Sequence, residues 1–297
     1  MNLIKKFTLI GLFLTLLFST IYAEDNNHAA PYMRMGLGAK ALAMGSAYTA
    51  IADNISTAYW NPAGLSEIEN IEIGSMYSTN MGLERQYNYA GIGMKFDFGA
   101  IALSWIHAGW EDFEGYQDGV STGNFNVQDH NIAVSFAKGF SNFSLGANLK
   151  TYIQSMDEEV ENGFGFDFGA KFNPNEFIGL GLMLRDIYGK VGEDEIPFQY
   201  SVGVSVNPKD NFTVSADLKS ESSDVIISVG TEYVLGMDKF SNLDGDTALR
   251  IGLNDNHLTA GIGFIVNSIE VNYAYTEDAS DDNIFEDSHR ISLIMRF

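Results

Sequence analysis

Short segments that alternate apolar and polar residues with period two run from about Ile71 to the last residue, and this limits the available folds more than any other feature. Phe143, Leu145, Ala147, Leu149, Thr151 and Ile153 alternate with Ser144, Gly146, Asn148, Lys150, Tyr152 and Gln154. Phe164, Phe166, Phe168, Ala170 and Phe172 oppose Gly165, Asp167, Gly169 and Lys171, and Phe212 to Leu218 repeats the pattern against Asp217 and Lys219. Further segments fit at 71–79, 84–96, 99–108, 128–138, 177–185, 198–206, 225–234, 247–254, 257–265, 268–276 and 287–297, giving about fourteen strands, an even number.

Alternation does not say which face is inside; size does. About eight strands already enclose just enough room for side chains, so about fourteen would leave an apolar lumen that nothing here could pack. The greasy face must point outward into lipid, and each segment is near the roughly 9 to 11 residues that a tilted strand needs to cross a bilayer. The expected fold is all-β: a transmembrane antiparallel β-barrel. Thirty Gly, 21 Phe and 14 Tyr against 5 Pro fit many strands with tight turns.

The start of the chain sets the compartment. Lys5 and Lys6 precede an apolar run from Phe7 to Ile21 that ends in Ile21-Tyr22-Ala23 before Glu24. The run is shorter than the roughly 20 residues of a spanning helix, and small Ala23 suits a signal peptidase, so 1–23 is expected to be a signal peptide. Residues 24–70 then precede the barrel, which is expected at 71–297. The bacterial outer membrane follows as the location and its lipid as a partner. With 39 acidic and 17 basic residues the net charge is −22, which excludes a nucleic-acid surface.

Short turns alternate with longer acidic connections, as periplasmic turns alternate with extracellular loops. Asp97-Phe98-Gly99, Asn173 to Glu176 and Asn207 to Asp210 make the short set. Gly109 to Gln128, Met156 to Asn162, Tyr188 to Pro197 and Thr276 to Glu286 make the long one. Gly236 to Asp246 is long but falls on the periplasmic side by strand count. Both ends of the barrel are expected in the periplasm.

Ile291, Leu293, Met295 and terminal Phe297 form a lipid-facing row with Arg290, Ser292 and Arg296 on the other face. A last strand ending in Phe resembles the segment recognised by the bacterial barrel assembly machinery, which that resemblance makes a partner.

Met33 to Ala52 is rich in Ala, Gly and Met and has helical character from Gly38 to Thr49. Gly38-Ala39-Lys40-Ala41-Leu42-Ala43-Met44-Gly45-Ser46-Ala47-Tyr48-Thr49-Ala50, Ala52-Asp53-Asn54 and Ala58-Tyr59-Trp60-Asn61-Pro62-Ala63-Gly64-Leu65 resemble the PorV/PorQ family of outer-membrane proteins. So do Ala248 to Gly252 and Asp287 to Leu293. Asn61-Pro62-Ala63 with Gly64-Leu65 is also similar to the motif of the FadL family of long-chain fatty-acid channels. The resemblance implies a FadL-like barrel of fourteen strands with the N-terminal segment, residues 24–70, as a lumenal plug, and Asn61, Pro62, Ala63 and Gly64 near its periplasmic mouth. In physical terms Pro62 suits a helix start and Asn61 can cap it.

Two function classes follow. In a FadL-like channel a hydrophobic small molecule enters an apolar pocket, which Met33, Met35, Leu37, Leu42 and Met44 could line; the same residues could equally pack the plug against the wall. In a PorV-like accessory of a type 9 secretion system the partners are secretion-system proteins and the long loops do the work. A structural or adhesive surface barrel is a third class.

No enzyme is indicated. His28, His107, His130, His257 and His289 show no metal-binding spacing, and no Gly-x-Ser-x-Gly elbow occurs. The glycines of Gly163 to Gly169 lie in a strand, where small residues make room for a neighbour or plug. No cofactor is expected, and zero Cys removes thiolate chemistry. Asn242-Leu243-Asp244-Gly245-Asp246 is similar to a calcium loop but carries Leu253 where the twelfth-place Glu belongs, so no metal is assigned. The acidic clusters 157–161, 193–195 and 277–282 read as solvated loops or as points where divalent cations bridge carboxylates.

Overall fold

The computed structural model describes residues 29–79, 85–117, 120–157, 159–221, 224–237, 244–277 and 287–297. The expected signal peptide, its cleavage point before Glu24, Glu158, Asn242, Leu243 and the acidic residues 278–282 lie outside the described residues.

Fourteen antiparallel strands form the wall: β1 (Ile71–Thr79), β2 (Gln86–Phe96), β3 (Gly99–Gln117), β4 (Val120–Gly139), β5 (Phe143–Met156), β6 (Glu159–Asn175), β7 (Ile178–Val191), β8 (Gln199–Lys209), β9 (Phe212–Glu221), β10 (Asp224–Gly236), β11 (Asp246–Asn254), β12 (His257–Val266), β13 (Ile269–Thr276) and β14 (Ser288–Arg296). A two-residue strand, Asp194–Glu195, folds back on Lys190 and Val191 between β7 and β8. Each strand pairs with the next, and β1 pairs with β14 through Ile73↔Met295 and Tyr77↔Ile291, which closes the ring and leaves no long edge.

The expected faces are the observed ones. Leu149 is 62% exposed and Ile227 60%, whereas their neighbours Lys150 and Ser228 are 2% and 0%. The outward set includes Phe143, Phe164, Phe166, Phe172 and Ile291, and the inward set mixes polar residues and glycine with alanine and with apolar or aromatic side chains such as Met76, Tyr87, Tyr89 and Ile106 that pack on the lumenal segment. A closed ring with an apolar exterior and a polar interior is the solution that lipid imposes, because every backbone group must bond within the wall.

Three sequence expectations are corrected. The stretch 109–128 is not a long loop: β3 and β4 stay paired from Gly109↔Gln128 to Gln117↔Val120, with irregularities between Trp110 and Phe113 and between Gly115 and Tyr116. Beyond the bilayer a ladder needs backbone hydrogen bonds but no apolar face, so the periodic signal stops where the strands continue. For the same reason β5 runs to Met156, β6 starts at Glu159 and β7 reaches Val191, which shortens the other two internal members of the long set. Tight turns also occur at that end, as at Asp255-Asn256, where φ is 49° and 70° as a two-residue hairpin requires. Finally, the helix expected over Gly38 to Thr49 is confined to Ala39–Ala43, because the backbone turns at Gly45 and Ser46 with φ of 65° and 63°. The long 236–246 connection begins as ladder, with Gly236 opposite Asp246 and Met237 N–H donating to the Gly245 carbonyl at 2.7 Å.

Candidate functional site

The segment from Ala29 to Glu67 fills the lumen. It makes a 3-10 turn at Pro31–Arg34, the helix Ala39–Ala43, a helical turn at Thr57–Trp60 and a 3-10 helix at Pro62–Glu67. Asn61 is extended, its side chain accepts from Ala63 N–H at 3.2 Å, and Pro62 stands at the first helical position, so the cap expected from sequence is present. The same side chain donates to the carbonyls of Thr49 at 2.8 Å and Ala170 at 3.1 Å, which ties two plug segments to β6.

Several glycines of the wall, among them Gly146, Gly169, Gly181, Gly230 and Gly252, face the plug. A Cβ on Gly169 would stand 2.8 Å from Pro62 Cδ, and one on Gly252 2.5 Å from the Met44 carbonyl carbon. These glycines mark where plug backbone lies directly on the barrel.

Half of the lumen is held by a continuous charge ladder. Lys40 Nζ pairs with Asp53 at 2.6 Å and stands 3.9 Å from Glu232, which pairs with Arg250 at 2.5 Å. Arg250 donates to Asn272 at 2.7 Å and lies 3.7 Å from Glu270; Arg296 bridges Glu270 at 2.8 Å and Glu72 at 3.1 Å. Glu72 returns to the plug by accepting from Ile55 N–H. Burial opposes ionisation of Asp53, but Lys40 and hydrogen bonds from Lys40 and the Tyr48 hydroxyl outweigh it and hold this carboxyl below its ordinary range. Burial likewise opposes the Lys40 charge, and Asp53 and Glu232 overcome it.

Other wall groups hold the plug one bond at a time. Asp217 accepts from the N–H groups of Tyr48 and Thr49, both at 2.9 Å. Lys171 donates to the Ile51 carbonyl at 2.6 Å and pairs with Glu67 at 2.8 Å, and Asn148 donates to the Ala58 carbonyl at 2.7 Å. Behind the plug, Lys150 lies between Asp167 at 2.7 Å and Asp186 at 2.6 Å, with Tyr152 donating to Asp186 at 2.8 Å.

A cavity of about 350 Å³ remains between plug and wall, at the end of the barrel away from its chain termini. Met35, Leu42, Tyr59 and Trp60 line its plug side, and Arg34, Arg185, Lys219 and Arg290 surround them. The Arg185 guanidinium lies 4.1 Å from the centre of the Tyr59 ring, and Lys219 Nζ is 5.1 Å from that of Trp60. Tyr59 and Trp60 meet edge to face at 5.0 Å, and their polar ends donate to the carbonyls of Met33 at 2.6 Å and Leu37 at 2.7 Å.

Of the five apolar residues considered for a pocket, Met35 and Leu42 reach this cavity. Met33 and Leu37 belong to the buried plug core, and Met44 is buried with its backbone against Gly230 and Gly252. The Asn61-Pro62-Ala63-Gly64 motif lies against β5 and β6, outside the cavity lining. Ile291, Leu293, Met295 and Phe297 stay on the outer face, with Phe297 N–H donating to the Ile71 carbonyl at 2.9 Å to help close the barrel. The four cations escaped the sequence reading because they come from four separate elements. For the three on strands, the available signal was a cation at an inward position whose register partners, Gln199 for Arg185, Ser201 for Lys219, and Ser78 and Ala274 for Arg290, are not acids.

No family model and no curated protein sequence matches the chain. Solved structures do resemble it. The toluene transporter TbuX of Ralstonia pickettii superposes with a TM-score of 0.64 at 12% identity, covering 88% of this chain and 98% of its own. The toluene transporter TodX of Pseudomonas putida gives 0.62 at 13%, covering 87% and 96%. A FadL homologue of Pseudomonas aeruginosa gives 0.56 at 10%, covering 84% and 95%. At these identities the likeness is one of fold. The closed ring, its lipid-facing exterior and this likeness make the chain a multi-pass β-barrel of the bacterial outer membrane with a FadL-like fold.

Proposed function

We propose that this barrel is a FadL-like channel that takes up hydrophobic small molecules, with a PorV/PorQ-type plug at 24–70 behind a signal peptide at 1–23. The observation that carries the reading is the lumen itself. A wide water-filled pore would leave it open, whereas here an anchored plug fills it and leaves a cavity of small-molecule size, bounded by Met35, Leu42, Tyr59 and Trp60 and by polar wall. TbuX and TodX, described as toluene transporters, share the fold, which supports a route for apolar compounds.

In this reading the turns at Asp97 and Asn175 face the periplasm and the cavity opens outward. A tag at Asp118 is then reached by antibody on intact cells and one at Asn175 is not; labelling at Asn175 reverses the orientation. The function is tested by uptake of aromatic hydrocarbons and fatty acids in wild-type, knockout and plug-deleted (33–65) cells, with barrel folding checked by heat-modifiable migration. Identical uptake in all three refutes the channel. Secreted proteins held back in the knockout periplasm would put a type 9 secretion role in its place.

A further inference from the structure

We infer that the cavity binds a small aromatic acid, its anionic group held among Arg185, Lys219 and Arg290 and its ring against the Trp60 and Met35 side. This names the substrate class of the channel proposed above and rests on that reading.

Charge balance carries the inference. Among the described residues the lumenal cations of the ladder and Lys150 all touch carboxylates, whereas Arg185, Lys219 and Arg290 have none in salt-bridge contact; Asp167 and Asp186, which act on Arg185 from further off, already share Lys150. Arg185 donates to the Tyr59 carbonyl at 2.8 Å, and Lys219 to Ser228 Oγ at 3.4 Å. Arg290 donates to the carbonyls of Met35 at 2.7 Å and Gly36 at 3.2 Å; it is only 5% exposed, yet its Nε has no hydrogen-bond partner. The acid nearest Lys219 on its strand, Asp217, is engaged with plug N–H groups. The two carboxylates of the cavity, Asp255 and Glu277, are exposed at its rim, and Glu277 already accepts from Leu258 N–H at 2.9 Å.

Arg185 and Arg290 are buried and Lys219 is half-buried, cations so placed with no carboxylate in contact are costly, and a chain with 39 acidic residues does not lack the means to pair them directly. Their grouping around one cavity therefore calls for an anion from outside. A neutral hydrocarbon would cover these groups without satisfying them. The volume, near the low end of the roughly 300–1,000 Å³ of small-molecule sites, suits one or two rings rather than an extended chain. Guanidinium planes stack on aromatic faces, which favours an aryl body over an alkyl one.

The test measures binding to the purified full-length barrel in a neutral detergent, using naphthalene-2-carboxylate, its methyl ester, naphthalene-2-sulfonate and oleate. Both aryl acids should bind at least about tenfold more tightly than the ester, the value expected for hydrogen bonds to charged groups, and should weaken with added salt while the ester does not. Lys219→Gln should lose about tenfold for the acids and nothing for the ester, with Lys219→Arg retaining affinity. Equal affinity for acid and ester overturns the inference, and tighter binding of oleate overturns its aromatic part. If Lys219→Gln fails to fold, the wild-type comparison of acid with ester decides alone. Acid binding with unchanged uptake in knockout cells would remove the channel and leave the site; uptake of hydrocarbons without acid preference would do the reverse.

Discussion

The two halves of the lumen use the same side chains in opposite ways. Toward the barrel's chain termini, Lys40, Arg250 and Arg296 alternate with Asp53, Glu232, Glu270 and Glu72, and the ladder fastens plug to wall. Toward the other end, Arg185, Lys219 and Arg290 meet carbonyls, a hydroxyl and aromatic faces instead. Strand register already separates the two. Glu232 stands opposite Arg250 and Glu72 opposite Arg296, whereas Ser78 and Ala274 flank Arg290, Gln199 faces Arg185 and Ser201 faces Lys219. A cation whose neighbour in register is an acid belongs to the scaffold, and one without such a neighbour is free to act on something else.

The hardest break in this comparison is Arg250→Leu. The Arg250 side chain is 0% exposed, and its removal leaves Glu232 with Lys40 no nearer than 3.9 Å and takes from Glu270 one of its two cations, which costs about 3–5 kcal/mol. Denaturant unfolding in lipid vesicles should show that loss, and a change below about 1 kcal/mol would mean that the ladder is not structural.

Asn61→Ala acts on the plug and its tie to β6. It removes a cap worth about 0.5–2 kcal/mol together with the ties to Thr49 and Ala170, while the strands keep their own ladder. The expected outcome is faster hydrogen exchange over 39–67 with unchanged exchange in β10 to β14. Exchange that rises equally in both would mean plug and wall unfold as one unit.

These breaks also show which parts of the molecule the sequence displays. Strand faces are legible because lipid and lumen act on alternate residues, so Leu149 and Lys150 announce their sides. The 109–128 extension is not, since water flanks both faces there and no periodicity is imposed. Nor is the early end of the helix near Gly45, which is set by the approach of Gly252 across the lumen. The cap at Asn61 is local and was readable. The cavity required Arg34 of the plug to meet residues of β7, β9 and β14, a juxtaposition that only closure of the ring creates.

Acid sharpens the comparison further. Because Asp53 ionises more readily in the folded protein than in the unfolded chain, its contribution is complete above the ordinary carboxylate range near about pH 4 and is lost as pH falls through the lowered value. Trp60 fluorescence, read with Trp105→Phe and Trp110→Phe in the background, should stay flat from neutral pH to about pH 5 and change only below it. Asp53→Asn should abolish that acid transition. A transition near neutrality would assign the control of the plug to another group.

The smallest effect on stability should come from the unpaired half. Lys219 gives the fold one long hydrogen bond to Ser228 and a place over the Trp60 ring, and buried Asp217, the carboxylate that feels its charge, is already held by the N–H groups of Tyr48 and Thr49. Lys219→Gln should therefore stay within about 0.5 kcal/mol of wild type, the range of substitutions that leave no partner stranded. It could even stabilise, since Arg185 lines the same cavity and bears the same charge. Measured beside Arg250→Leu by the same unfolding assay, it asks whether charge in this lumen matters by its presence or by its pairing. A loss comparable to that of Arg250→Leu would show that Lys219 is scaffold too, and the distinction drawn from register would fail.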